Sequence, residues 1–145
     1  MTLQYKNVLV AVDGSEGAKH AFEKALKISK KSKARLIISH VVDLRSFSRI
    51  EPYSPNFTNW IEDTGQQLLN QYKKEAVESG IENVETSLDF GSPKVMLGRE
   101  IADKWQADLI VVGATGLGAV ERFVIGSVSE QVARNAKRDV LIVRR

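Results

Sequence analysis

Runs of β-branched apolar residues alternate with segments of helical spacing along the whole chain, and this alternation restricts the fold more than any other feature. KNVLVAV, residues 6–12, is continuous and stops at DGSEG, the pattern of a strand buried on both faces. Such strands belong to parallel sheets. ARLIISHVV (34–42) and DLIVVGA (108–114) repeat the pattern, and VETSLDF (84–90) and DVLIVRR (139–145) complete five expected strands. From Glu16 to Ser32, apolar residues at Ala18, Ala21, Phe22, Ala25, Leu26 and Ile28 fall mostly at steps of three and four, predicting an amphipathic helix. A second helix is expected over 57–79, through Trp60, Leu68, Leu69, Tyr72 and Ala76, with Gly80 placed to stop it. SPKVMLGREIADKWQA predicts a third, with Ser92 as cap and Pro93 at its first position. SVSEQVARNA predicts a fourth. The passage DLRSFSRIEPYSPN is expected to hold no regular element, because of Pro52 and Pro55.

Strand and helix therefore alternate with connections too long for hairpins, and the economical architecture is an open, mostly parallel α/β sheet with helices on both faces. A chain of 145 residues, 43% hydrophobic and 27% charged, has the length and composition of one folded domain, so the domain is expected to span 1–145. It has no cysteine, which excludes disulfides, thiolate nucleophiles and cysteine-based metal sites. With 21 basic against 18 acidic residues and no basic face interleaved with aromatics, nucleic acid is not an expected partner. The start MTLQYKNVLVAV has no secretory signal, and nowhere do 18 apolar residues run together, so a cytoplasmic location without membrane association is expected.

In sheets of this kind a ligand binds beyond the carboxyl ends of the strands, where the winding reverses. The first and fourth strands are the candidates, because DGSEG and GATGLG follow them. Within VVGATGLGAVERFVIGSVSEQV, residues 111–132, lie Gly113, Gly116, Gly118 and Gly126. Gly113 and Gly118 have P-loop spacing, but Ala119 and Val120 stand where lysine and a hydroxyl residue are needed. A dinucleotide fingerprint opening at Gly116 fails at Glu121, and neither Ser15 nor Ser127 sits in a G-x-S-x-G elbow. What remains is Gly113 and Gly116, then Gly126-Ser127 ahead of a helix. Ser127 to Glu130 spell a capping box, and the free amides of such a helix start favour an anion. Two bare backbones and two hydroxyls above a sheet describe a phosphate cradle. Asp13 to Glu16 also fit a capping box, which offers Asp13 a purely structural role. His20 and His40 are expected to be structural, since two histidines without cysteine make a poor metal site.

Gly113, Gly116, Gly126 and Ser127 form a G-x2-G-x9-G-[S/T] signature, and with VLVAVDGSE at the start and VLIVRR at the end the chain resembles the ATP-binding branch of the universal stress protein family over its whole length. The resemblance implies a single Rossmann-like domain, a five-stranded parallel open sheet of order 3-2-1-4-5, that binds ATP between the first and fourth strands and usually dimerises. Ala11, where many members carry proline, Val12 and Asp13 would line the adenosine side, with Asp13 near the ribose or a Mg2+ or Mn2+ ion. Val41 would meet the adenine. Gly113, Ala114, Thr115, Gly116, Leu117, Gly118 and Ala119 would wrap ribose and phosphates, completed by Gly126, Ser127, Val128 and Ser129. Arg122 would reach phosphate.

Two functions compete once ATP is granted. One is a nucleotide-responsive regulatory protein of the stress response, with at most slow hydrolysis. The other is an enzyme that hydrolyses ATP or transfers phosphate, using Asp13 and a bound divalent metal. Phosphoryl transfer needs a residue that orients the nucleophile, a held metal and strong positive charge on the transferring group. The chain offers Asp13 and Arg122 but no P-loop lysine and no acidic cluster, which favours the regulatory reading. A homodimer joined through the C-terminal strand is expected, because the apolar centre of DVLIVRR lacks the charges that protect an edge.

Overall fold

The computed structural model describes residues 4–43, 55–115 and 125–144. Five strands, β1 (Asn7–Ala11), β2 (Arg35–Val42), β3 (Val84–Phe90), β4 (Leu109–Gly113) and β5 (Asp139–Val143), form one sheet in the order β3-β2-β1-β4-β5. Every neighbouring pair is parallel. The chain steps outward from β1 through β2 to β3, then returns to the other side of β1 for β4 and β5. The winding thus reverses between β1 and β4, as the resemblance implied.

Strand alternation divides the core in two. Val8, Val10, Leu36, Ile38 and Val111 point to the face covered by α1 (Glu16–Ser32) and α2 (Pro55–Glu78), where they meet Ala21, Phe22, Ala25, Leu69 and Ala76. Leu9, Ile37, Val41, Ile110 and Val112 point to the other face and meet Leu97, Ile101, Ala102 and Val132. That second layer consists of α3 (Pro93–Met96), a π-helical turn (Leu97–Ile101), α4 (Ala102–Lys104) and α5 (Ser127–Asn135).

Several local expectations change. Pro55 opens α2 rather than belonging to an irregular passage, since a helix's first position needs no amide hydrogen. Trp60, expected on the apolar stripe of that helix, is 55% exposed and stacks with Phe57 at 6.2 Å between ring centroids. Gly80 stops the helix at φ +106, as expected. The third helix is not uniformly α. Its π turn, with i→i+5 bonding, brings Leu97, Ile101 and Ala102 onto the sheet together, and a spacing of four and five residues fits that wider turn. Pro93 holds the first position, but the Ser92 side chain makes no cap bond.

Candidate functional site

The reversal between β1 and β4 opens into a cleft of about 730 Å³, a volume typical of small-molecule sites. At its centre are the ends of β1 and β4. Ala11, Val12 and Asp13 line it from one strand, and Gly113 and Thr115 from the other. Gly126, Ser127, Val128 and Ser129 close one end, and Val41 of β2 lies toward the other. Gly116, Leu117, Gly118, Ala119 and Arg122 lie outside the described residues.

The α5 end is held by main chain. Gly126 is the N-cap, in extended conformation at φ −65 and ψ 160, and its carbonyl accepts the Glu130 amide at 3.0 Å. The helix therefore begins one residue earlier than the expected capping box, and Ser127 occupies the first helical position. Ser127 makes no cap bond, and the Glu130 carboxylate pairs with Arg134 at 2.9 Å instead of turning back. No side chain caps the helix amides, and Ser129 instead ties the helix start to neighbouring carbonyls. Its buried hydroxyl donates within 3.1 Å of the Ala114 carbonyl and lies 3.0 Å from that of Gly126. The Gly126 amide donates to the same Ala114 carbonyl at 2.6 Å, while the Ala114 amide donates to Val143 at 2.9 Å. Ala114, expected to contact the ligand, is 6% exposed and does not line the cleft. It clamps β5 and the start of α5 to the end of β4.

Gly113 also acts differently from the expectation. A Cβ placed there would lie 2.6 Å from the Gly17 carbonyl oxygen, so its missing side chain admits the first turn of α1, not a ligand. The cleft receives only the backbone of Gly113.

At the start of α1, Ser15 is the N-cap, accepting the Ala18 amide at 3.1 Å. Asp13 does not cap the helix. Its Oδ1 accepts the Ser15 amide at 3.0 Å, which fixes the carboxylate at the cleft edge. Burial, followed by the negative charge of Asp13 and of Glu75, Glu16 and Glu23, raises the ionisation of the half-buried Tyr72 phenol above its usual range. Among the described residues no group of three or more His, Cys, Asp or Glu stands ready for a metal. Asp13 alone fits a magnesium ion only as one protein ligand beside phosphate oxygens, which is a common way of holding that ion.

Of the far end of the cleft only Val41 was expected, from the resemblance, and its other walls were missed by reasoning along the sequence. Ser39, His40, Val41 and Val42 of β2 meet Pro93, Lys94 and Leu97 there, and Thr64 and Leu68 of α2 border it. His40 lies within β2, not at its end, and its Nδ1 is 2.8 Å from the Val12 carbonyl, which orients the ring. Strand alternation put Ser39 and Val41 on one face, but nothing local to the sequence tied that face to the first turn of α3.

The profile described as the universal stress protein family matches residues 4–144. A chain of Staphylococcus aureus (strain USA300) assigned to the universal stress proteins is 46% identical over 142 residues, covering 98% of this chain and 86% of that one. The structure of the universal stress protein UspA from Lactobacillus plantarum superposes with a TM-score of 0.80 at 26% identity, covering 99% of this chain and all of the other. A universal stress protein crystallised in complex with cAMP superposes with a TM-score of 0.71 at 31% identity, covering 98% of each chain. No helix among the described residues is long and apolar enough to cross a membrane.

Proposed function

The chain belongs to the universal stress protein family, and from that premise we propose that it binds ATP in the cleft between β1 and β4 and acts as a nucleotide-responsive regulatory protein. The observation that carries the reading is the polarity of the cleft. One end presents the amides that open α5, with the Ser127 hydroxyl beside them, and the other presents Val41, Pro93 and Leu97. Free helix amides suit phosphate, and apolar walls suit a planar base. The related protein bound to cAMP supports a nucleotide as the ligand class.

Mg2+ or Mn2+ at Asp13 would supply charge that neutralises phosphate oxygens. The chain's own contribution is to orient: the Ser15 amide holds the Asp13 carboxylate, and Ser129 holds the helix start. Among the described residues no group of three or more His, Cys, Asp or Glu gathers to hold the metals of phosphoryl transfer, which supports binding over catalysis. Turnover of ATP is expected below the ~1 to 10³ per second of ordinary enzymes.

Calorimetric titration with ATP, with and without magnesium, tests the reading, and mass spectrometry of the protein as purified identifies a retained nucleotide. Saturable ATP binding at micromolar concentration is expected. Binding of cAMP with no affinity for ATP would replace the ligand, and binding of neither would refute the site.

The proposed assembly is a homodimer through β5. That strand ends the sheet, with Leu141 and Val143 only partly covered on one face and Val140 and Ile142 on the other. An unpaired row of backbone groups on so apolar a strand invites a second copy to pair antiparallel about a two-fold axis. Ile142→Pro removes an amide from that edge. Sedimentation is expected to show a wild-type dimer and a monomeric variant; a monomeric wild type at micromolar concentration refutes the assembly.

A further inference from the structure

Ser39 is an anomaly in the floor of the cleft. It is fully buried, it lines the cleft, and its hydroxyl has no hydrogen-bond partner. A buried hydroxyl left unpaired is costly, and native structures rarely keep one without water or a ligand to satisfy it. Register places Ser39 between Ala11 of β1 and Ser87 of β3, all on the face that meets the π turn. Ser87 has its own partner, donating to Asp89 Oδ2 at 2.8 Å, so it does not satisfy Ser39. The face is otherwise aliphatic, with Ile37 and Val41 flanking Ser39 along the strand. Two small residues, Ala11 and Ser39, thus stand side by side in the lining of the cleft, with one unpartnered polar atom among aliphatic neighbours.

Ser39 lies toward the apolar end of the cleft, with Val41, Pro93 and Leu97, away from the helix amides of α5. Lys94, on the first turn of α3, lines the same end from the rim and is exposed. Among the described residues no salt bridge engages it. A hydroxyl donates or accepts, whereas an ammonium only donates. Together they suit a ring that presents acceptor atoms on its edge while its faces lie against aliphatic side chains.

We propose that Ser39 and Lys94 are the residues by which the cleft selects its base: the Ser39 hydroxyl takes a ring nitrogen of a purine seated against Val41 and Leu97, and Lys94 donates to a second acceptor on the same base. The inference rests on the nucleotide reading of the cleft and assigns its specificity to side chains outside the glycine signature. Pyrimidine nucleotides, with a smaller ring, leave the Ser39 hydroxyl unreached and bind more weakly.

Titration of wild type, Ser39→Ala and Lys94→Met with ATP, CTP and inorganic tripolyphosphate tests it. Wild type is expected to prefer ATP to CTP. Ser39→Ala is expected to lose about tenfold in ATP affinity, the worth of one buried hydrogen bond, with tripolyphosphate binding unchanged and the ligand-free protein at least as stable as wild type, since the unpaired hydroxyl is gone. Lys94→Met is expected to weaken ATP and leave tripolyphosphate alone. An Ser39→Ala protein that binds ATP as wild type does would assign the hydroxyl to a trapped water and overturn the proposal. So would a Lys94→Met loss shared equally by tripolyphosphate, which would place the lysine on phosphate. Failure of wild type to bind ATP at all would instead refute the nucleotide reading itself.

Discussion

At the α5 end of the cleft the wall is main chain: the Gly126 amide and the Ser129 hydroxyl meet on one carbonyl, that of Ala114, and the Ala114 amide is fastened to β5. At the α3 end the wall is side chain: Ser39, Val41 and Leu97, with Lys94 at the rim. The first end is rigid because each contact also closes the fold. The second carries groups that can change without opening a backbone hydrogen bond. Binding and stability should therefore be coupled at the α5 end and separable at the α3 end.

Gly113→Val tests the coupling most severely. Its first side-chain atom would meet the Gly17 carbonyl, and backbone cannot swing aside as a flexible side chain would. Overpacking of this kind costs about 3 kcal/mol, so denaturant unfolding should show a large loss of stability along with any loss of ligand. A variant as stable as wild type would show that α1 can retreat and that the two roles are independent.

Ser129→Ala follows. It removes the one hydroxyl proton shared between the Ala114 and Gly126 carbonyls, each of which keeps an amide donor, in a site where Ser129 is 2% exposed. A cost of about 1 to 2 kcal/mol is expected from such a deletion, read from the shift in unfolding midpoint at unchanged slope. Gly126→Val is milder for the fold, because φ −65 suits any residue. Its branched side chain should obstruct the helix amides, lowering ATP affinity about tenfold, or ~1.4 kcal/mol, while stability changes little. A loss of stability exceeding the loss of binding would extend the coupling to the N-cap itself.

The same contrast explains what could be read in advance. β1, β2 and β4 are continuous apolar runs that a strand buried on both faces requires, whereas their order in the sheet was implied by the family resemblance and not by the runs themselves. The α5 end was readable because glycines and a helix start lie close together in the chain. Its details were not: the meeting of Gly113 with Gly17 joins two distant stretches, and the position of the cap depends on which carbonyl Glu130 finds. Apart from Val41, which the resemblance supplied, the α3 end was invisible for the same reason. Ser39 reads as an ordinary polar residue in a strand, and only the packing of the π turn over that face reveals a buried hydroxyl without a partner. Trp60 shows the converse, an apolar residue at helical spacing that the tertiary fold leaves exposed.

The smallest effect concerns Asp13, which stands between the two ends. Its charge is among the influences that, after burial itself, raise the Tyr72 phenol. A phenol that ionises later in the folded chain than in the unfolded one contributes stability that is complete below the unfolded value, about pH 10, and is lost as pH rises through the folded value. Alkaline unfolding should therefore begin above that point and be blunted in Tyr72→Phe. Asp13→Asn removes one raising charge, so ultraviolet titration should find Tyr72 ionising at lower pH than in wild type. Tyr5 is the internal reference. Its phenol is raised chiefly by donating to Asp139 at 2.8 Å, beside the start of β5 and away from the strand ends that line the cleft. A Tyr5 titration that moves with Asp13→Asn would mean a global change in the fold. A Tyr72 titration that stays fixed would mean that Asp13 carries no charge toward α2, and that the Ser15 amide holds the carboxylate toward the cleft.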